Sequence, residues 1–225
     1  MISRLQFPKA DFQSKPDSLA PISLRWSVYS PIIPYDHDAS CLPAVIIHAE
    51  IENTTSEPLV CAIAFNQDLD DDADMTPTDT ILAPVHLSLK DINSPIIHDI
   101  AGVIENTSRS TTPNGLLLSR QARENSSHRQ YCIAVHTKGN DAAESLWAWD
   151  TEKEEEYQQF SQAITAQGIL PRSLQNHNVR CLTACSRIAI DPGQRQTVLF
   201  VSTWHDSSNR TTMRLWRDAA EAARH

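Results

Sequence analysis

Glycine is scarce in this chain of 225 residues: there are five, and no two lie closer than 13 positions apart. The phosphate-binding loops of nucleotide-dependent enzymes need clustered glycines, because their backbone N–H groups must approach the phosphate closely. The sequence therefore contains neither a G-x-G-x-x-G fingerprint nor a Walker loop. Enzyme classes built on these loops are excluded.

Positive charge and long apolar runs are also lacking. The chain has 19 Lys and Arg against 28 Asp and Glu, a formal net charge of −9. Because nucleic-acid affinity comes largely from a basic face, we expect no nucleic-acid partner. No apolar run approaches the roughly 20 residues that a membrane helix requires, so no transmembrane segment is predicted. The N-terminus lacks the apolar stretch of a secretory signal, and we expect a cytoplasmic protein.

The cysteines do not form a recognisable framework. They are odd in number: Cys41, Cys61, Cys132, Cys181 and Cys185. Without a secretory signal, we expect reduced and mostly buried thiols rather than disulfides. The last two lie four positions apart, which is not the C-x-x-C spacing of a zinc site. No metal or other cofactor is predicted from them.

Alternating hydrophobicity predicts two strands in the first quarter of the chain, over Ile22–Ile33 and Ala44–Asn53. The second places one set of apolar side chains on a single face: Val45, Ile47, Ala49 and Ile51. This period of two is typical of a half-buried strand. Residues Thr54–Pro58 then read as a turn, and Leu59–Phe65 as the returning strand of an antiparallel hairpin.

A second hairpin is predicted near the other end of the chain. Its strands are Val179–Ile190 and Gln196–Thr203, and Asp191–Gln194 supplies Pro and Gly for the turn between them. Other short strand-like runs are Val85–Leu89, Ile100–Glu105, Leu116–Ser119, Tyr131–Thr137 and Ser145–Asp150. Short strands joined by polar turns therefore dominate the sequence.

One helix is predicted between the strands, over Thr151–Gln167. Thr151 is in position to be its N-cap, Glu154 occupies the capping-box position, and Gly168 follows as the C′ residue. Many strands with one interposed helix predict an all-β fold, a two-sheet antiparallel β-sandwich. We place this sandwich in residues 22–206, after an N-terminal extension (1–21) and before a C-terminal tail (207–225) with a short helix over 213–223.

An acidic loop follows the first predicted hairpin. Carboxylates stand at positions 1, 3, 5, 7 and 12 of an EF-hand-like spacing: Asp68, Asp70, Asp72, Asp74 and Asp79. The turn position holds Ala73 where an EF-hand has glycine, and no helices are predicted on either side. The pattern favours a solvated loop over a calcium site, with calcium kept as the alternative.

Local motifs for catalysis are missing. The nine histidines form no H-E-x-x-H pattern, and no serine stands in a G-x-S-x-G elbow. A glycosidase needs two facing carboxylates, and the sequence pairs none. We therefore predict no catalytic residue.

Three tryptophans are the candidate sugar-binding residues. Trp147 and Trp149 share one face of a predicted strand, and Trp204 ends another. Exposed aromatic rings can stack on sugar rings. The alternative is a core or interface role, because tryptophan is highly buried on average.

Several segments together resemble the N-terminal domain of glycoside hydrolase family 116, the family of the non-lysosomal glucosylceramidase and related bacterial β-glucosidases. In the first part of the chain these are Trp26–Pro34, Asp36, Ser40–Ala44, Glu52–Thr54 and Glu57–Val60. In the same order as in the family there follow Gly115–Ser119, Trp149–Asp150, Phe160, Gly168–Leu170, Asp191–Gln194, Leu199–Val201 and Thr203–His205. The resemblance spans roughly residues 22 to 206.

This resemblance implies a two-sheet β-sandwich that, in the family, packs against a C-terminal (α/α)6 toroid carrying both catalytic carboxylates. No segment of the sequence resembles the toroid. We therefore expect a non-catalytic domain, inactive alone, that docks onto an (α/α)6 catalytic domain or forms a homo-oligomer. Two alternatives remain: a stand-alone carbohydrate-binding module, and an autonomous glycoside hydrolase.

Overall fold

Eleven strands and one helix make up the part of the chain that the structure describes. The structure is a computed structural model, and it describes residues 2–6, 9–14, 21–30, 44–69, 81–86, 114–121, 128–137, 142–171 and 179–206. The strands are β1 (Ile2–Gln6), β2 (Lys9–Gln13), β3 (Ile22–Tyr29), β4 (Ala44–Asn53), β5 (Leu59–Asp68), β6 (Ile81–His86), β7 (Asn114–Gln121), β8 (His128–Thr137), β9 (Ala143–Trp149), β10 (Cys181–Ile190) and β11 (Arg195–Asp206). The helix α1 spans Glu154–Ala166.

The strands form two antiparallel sheets. The large sheet has the order β1-β2-β3-β4-β11-β8-β7-β6, and the small sheet has the order β5-β10-β9. All neighbouring strands pair antiparallel. The predicted two-sheet β-sandwich is confirmed. The sequence analysis missed β1 and β2, which extend the large sheet before residue 22. β1 does not alternate, whereas β2 alternates strictly, but over five residues only.

Both predicted hairpins are wrong, and for the same reason. β4 pairs with β3 and β11, whereas β5 pairs with β10 in the other sheet. The turn over 54–58 therefore carries the chain from the large sheet to the small one, and Asp191–Gln194 carries it back. We call these two connections the paired arches. Their backbones are joined, because the Asn53 N–H donates to the Gln194 carbonyl (3.1 Å) and the Gly193 N–H donates to the Asn53 carbonyl (3.0 Å).

The buried side chain of Asn53 holds the paired arches together. Its amide nitrogen donates to the carbonyls of Glu57 (2.7 Å) and Ile190 (2.9 Å), and its amide oxygen accepts from the Thr55 N–H (2.9 Å) and hydroxyl (2.8 Å). Side-chain hydrogen bonds of this kind give the backbone N–H and C=O groups of a turn their partners, so these groups need no neighbouring strand of a hairpin. This explains why a strand–turn–strand pattern ends in two different sheets.

The main core lies between the two sheets. Its fully buried large side chains include Ile51, Leu116, Ile133, Leu182, Val198 and Phe200. The face predicted for β4 is confirmed at Ala49 and Ile51, which both belong to this core. Because side chains alternate along a strand, the intervening residues of β4 lie on the outer face of the large sheet.

The helix begins three residues later than predicted, so the assignment of Thr151 as its N-cap is wrong. Lys153 is the N-cap, because a turn closed by its N–H and the Asp150 carbonyl (3.1 Å) precedes the helix. Glu156, not Glu154, reaches back across this turn, and its carboxylate accepts from the Asp150 N–H at 2.7 Å. The carboxylate that reaches back at the helix start is therefore two positions later in the sequence than predicted.

The predicted end of the helix at Gly168 is confirmed. Gly168 has φ +65°, and its N–H donates to the carbonyls of Ala163 (2.9 Å) and Ile164 (3.1 Å). A Cβ at this position would lie 3.0 Å from the Ala62 Cβ of the small sheet. Glycine is therefore favoured here for two reasons: the backbone is left-handed, and β5 approaches closely.

The predicted strand over 100–105 and the predicted helix over 213–223 lie outside the described residues.

Candidate functional site

Strands β2, β3 and β4 present a polar groove on the outer face of the large sheet. This outer groove has a volume of about 440 Å³ and is lined by Lys9, Asp11, Arg25, Ser27, His48 and Glu50. On the opposite face of the same strands, Trp26, Ala49 and Ile51 belong to the core or pack against it. The groove thus lies on the solvent side of strands that the core holds in place.

The strand register brings the groove residues together. Ser27 lies opposite both Asp11 on β2 and His48 on β4, and Arg25 lies opposite Glu50. Residues that pair directly across antiparallel strands point to the same face, and so do residues two apart on one strand. Residues far apart in sequence therefore form one surface.

The charges in the outer groove balance. The Lys9 ammonium lies 2.9 Å from the Asp11 carboxylate, which also accepts a short hydrogen bond from the Ser27 hydroxyl. Arg25 and Glu50 supply the other cation and carboxylate. From outside the groove, the Arg195 guanidinium lies 3.3 Å from the Glu50 carboxylate. Among the lining residues that the structure describes, the groove therefore presents charged hydrogen-bonding groups without an excess of either sign.

His48 lies on the β4 side of the groove and has a shifted pKa. Burial lowers its pKa below the ordinary value of 6.5; the nearby Lys9 acts in the same direction, and the Glu50 carboxylate opposes it. The imidazole is therefore neutral at pH 7. A neutral imidazole donates from one ring nitrogen and accepts at the other, so His48 can serve a ligand in both ways.

A serine, a histidine and an aspartate meet in this groove, but not in the order of a catalytic triad. In a triad the histidine lies between the serine and the carboxylate, so that it can take the serine's proton. Here Asp11 accepts directly from Ser27, and His48 lies on the other side of Ser27. This arrangement is suited to binding through hydrogen bonds rather than to nucleophilic attack.

The candidate tryptophans occupy two different environments. Trp147 and Trp149 do share one face of β9, where their rings stack at 5.3 Å, and Phe160 of α1 stacks on Trp149 at 5.2 Å. Their exposed fractions are 2% and 4%, whereas that of Trp204 is 43%. Stacking on a sugar needs an exposed ring face, and of these three rings Trp204 offers one. Sugar binding by the three residues stays a prediction.

Two carboxylates are buried at the start of α1. Asp150 lies 3.5 Å from the Arg180 guanidinium, and Glu156 lies 3.1 Å from the Lys153 ammonium. Each buried carboxylate therefore has a cationic partner, as burial of a charge requires. The two buried carboxylates therefore have a structural role: they stabilise the turn before α1 and the start of the helix.

The predicted acidic loop is described only at its beginning. Asp68 ends β5, opposite Cys181 of β10, and residues 70–80 lie outside the described residues. Calcium binding by Asp68, Asp70, Asp72, Asp74 and Asp79 stays a prediction. Among the residues that the structure describes, no group of three or more His, Cys, Asp or Glu side chains is placed to hold a metal ion.

The four described cysteines are free thiols, as expected. Cys132, Cys181 and Cys185 are buried and Cys61 is half-buried, whereas Cys41 lies outside the described residues. Burial raises the pKa of Cys132 and of Cys181 to about 12, so both stay protonated at neutral pH. Thiols of this kind are inert packing groups.

The sequence analysis missed the outer groove. The available signal was the apolar face predicted for β4, because alternation leaves His48 and Glu50 on the opposite face. Lys9 and Asp11 lie on a strand that the sequence analysis did not predict, although residues 9–13 alternate between polar and apolar. Cross-strand partners cannot be read from a single strand. The described part of the chain contains no helix long and apolar enough to cross a membrane.

Comparison with known proteins identifies the family. The model of the family described as beta-glucosidase 2, glycosyl-hydrolase family 116 N-term, matches residues 4–213. The chain belongs to this family. The match begins within β1 and continues past β11, so it includes strands β2 to β11 in full and the last three residues of β1.

Two solved structures that match this domain resemble it distantly. A protein assigned as a kojibiose phosphorylase, from human microbiome, has 6% identity and a TM-score of 0.41, covering 96% of this chain and 21% of that chain. One assigned as an aldose 1-epimerase, from Klebsiella pneumoniae, has 8% identity and a TM-score of 0.38, covering 97% of this chain and 56% of that chain. The family 116 N-terminal domain thus spans about a fifth and about half of their lengths. No curated protein matched the sequence.

Proposed function

We propose that this chain is the non-catalytic β-sandwich domain of a β-glucosidase or glucosylceramidase-like protein, and that it docks onto and supports an (α/α)6 catalytic domain. The observation that carries the proposal is the family match to an N-terminal domain over residues 4–213. In this proposal the catalytic partner holds the reacting carboxylates, and its substrate is a β-glucoside or glucosylceramide.

The unequal sizes of the two sheets support docking. The small sheet packs against β7, β8 and β11 of the large sheet, while β2 and β3 lie towards its other end. There, on the side of the sheet that faces the core, Phe12 and Trp26 stack at 5.5 Å, and both rings are only half-buried. Partly exposed apolar surface of this kind is typical of an interface. We propose this ring pair as part of the contact with the catalytic domain.

The docking proposal is tested by mixing the purified chain with a separately expressed (α/α)6 domain of a family 116 β-glucosidase. We expect co-elution in size-exclusion chromatography and a higher melting temperature for the catalytic domain. Phe12→Lys should weaken the complex about tenfold or more, since it places a charge in the interface. Tyr157→Lys is the matched control, because Tyr157 is an exposed ring on α1, with 55% of its surface accessible.

A catalytic domain that ignores the unmodified chain would overturn the docking proposal. Self-association of the chain on its own would favour the homo-oligomer instead. We expect no turnover of an aryl β-glucoside by the purified chain; turnover that a single Asp or Glu substitution abolishes would identify an autonomous hydrolase.

A carbohydrate-binding role is the second candidate, and the exposure of Trp204 favours it. A sugar stacked on this ring should protect tryptophan fluorescence from a solute quencher. Trp204→Ala should remove that protection. Absence of protection in the unmodified chain would leave this role without its mechanism.

A cytoplasmic location belongs to the same proposal. The free thiols of the four described cysteines support it, because cytosolic proteins keep their cysteines reduced. Fractionation of cells expressing the tagged full-length protein tests the location. Recovery outside the cytosolic fraction would contradict it.

A further inference from the structure

We infer that the outer groove, lined by Lys9, Asp11, Arg25, Ser27, His48 and Glu50, binds an uncharged polyhydroxylated ring, the chemistry of a monosaccharide. This site is separate from the three tryptophans, and it lies on the opposite face of the large sheet from Phe12 and Trp26. It therefore does not depend on docking to a catalytic domain.

Two side chains in the groove have unused hydrogen-bonding capacity. Within the described part of the chain, Arg25 forms no ion pair and the His48 imidazole forms no side-chain hydrogen bond. Arg25 offers several N–H donors in a fixed plane, and neutral His48 offers one donor and one acceptor. A ligand that both accepts and donates hydrogen bonds at several points, as a sugar does, matches this set.

The carboxylates provide the remaining acceptors. Glu50 lies directly opposite Arg25, and the side chain of Glu50 is 27% exposed even with Arg195 beside it. The Asp11 side chain is 37% exposed while it binds Lys9. Both therefore keep surface available to a ligand hydroxyl. Adjacent strands lie about 4.7–4.9 Å apart, so donors and acceptors alternate at a spacing comparable with the width of a six-membered sugar ring.

Charge balance selects the class of ligand. A phosphate or carboxylate ligand would approach Asp11 and Glu50, and an ammonium ligand would approach Lys9 and Arg25. Either charge would thus be repelled by about as many groups as attract it, whereas an uncharged ligand escapes this cost. The volume of about 440 Å³ falls in the range of small-molecule sites. None of the lining residues that the structure describes is aromatic, so these six residues offer no stacking surface and we expect affinity in the millimolar range.

The experiment is a titration of the full chain with D-glucose, monitored by amide chemical shifts. We expect saturable shifts in β2, β3 and β4. Arg25→Gln should weaken binding about tenfold or more, because it removes a charge-assisted hydrogen bond. His48→Gln is the second variant, and Arg187→Gln on β10 is the matched control that should bind as the unmodified chain does. Near-UV circular dichroism of every variant verifies that it is folded.

Three results would overturn the inference. The first is the absence of glucose-dependent shifts at millimolar concentrations, or shifts that Arg25→Gln leaves unchanged. The second is binding of inorganic phosphate or succinate with no binding of glucose, which would mean a charged ligand. The third is a set of shifts centred on Trp204 and lost in Trp204→Ala, which would place the sugar on that ring. Because no catalytic domain is present, none of these results depends on the docking proposal.

Discussion

Replacement of Asn53 by alanine should destabilise the fold more than any substitution in the surrounding turns. The substitution removes the two bonds that the Asn53 amide donates, to Ile190 and Glu57, and the two that it accepts from Thr55. The Ile190 carbonyl is buried and would lose a hydrogen-bond donor, which costs about 1–3 kcal/mol. The bonds to Glu57 and Thr55 lie where water can replace them, and together contribute about 1–2 kcal/mol.

The expected loss is therefore about 2–5 kcal/mol in the free energy of unfolding. Urea denaturation followed by tryptophan fluorescence measures it, provided that the transition is two-state. Gln194→Ala is the matched control: it removes an exposed amide side chain from the neighbouring arch and should change the stability by less than about 0.5 kcal/mol. A loss below about 1 kcal/mol for Asn53→Ala would refute the argument that this side chain fastens the paired arches.

Three further predictions concern other parts of the fold. Gly168→Ala should cost about 1–3 kcal/mol in the free energy of unfolding, which is more than the cost of Gly193→Ala. Both glycines have positive φ, but an added Cβ meets a neighbouring atom, the Ala62 Cβ, only at Gly168. Equal losses of stability in thermal melts would contradict this. Burial lowers the pKa of His136, so the unfolded state takes up the proton first and the free energy of unfolding should fall as the pH drops below about 6.5. His136→Leu should flatten that decline, as measured by urea titrations at several pH values. An unchanged slope would count against this role of His136. Trp147→Ala should cost about 3–5 kcal/mol and Trp204→Ala less than about 1 kcal/mol, following their burial; similar calorimetric losses for the two would show that the burial argument fails.

The positions of the strands were more predictable than their partners. Alternation along β4 identified the strand over its observed bounds and the face that enters the core, since this depends on neighbouring residues alone. Pairing depends on contacts between distant residues, and the Pro-Gly turn at 191–194 looks the same in sequence whether it closes a hairpin or crosses between sheets. At this crossing the Asn53 side chain bonds to the Ile190 carbonyl, 137 positions away, and no local pattern records that contact.

The candidate site was predictable only in part. Trp147 and Trp149 were placed correctly on one face of a strand, but whether that face meets solvent or a helix depends on where α1 packs. The outer groove needs β2 beside β3. The residues of β2 do alternate between polar and apolar, but over one short segment whose neighbour in the sheet is not recorded in the sequence. Sites assembled across strands become visible only when the register is known.

The place of β11 in the large sheet has a consequence for the order of folding. β11 is the last described strand in the chain, yet it lies in the middle of the large sheet, between β4 on one side and β8 on the other. During synthesis, β1–β4 and β6–β8 therefore emerge as two separate groups, each with an open edge, and neither meets the other until β11 arrives. Pairing over such distances in sequence is slow. In the cell, the β4 edge stays open from residue 53 and the β8 edge from residue 137 until β11 is made, which makes this interval the period of greatest aggregation risk.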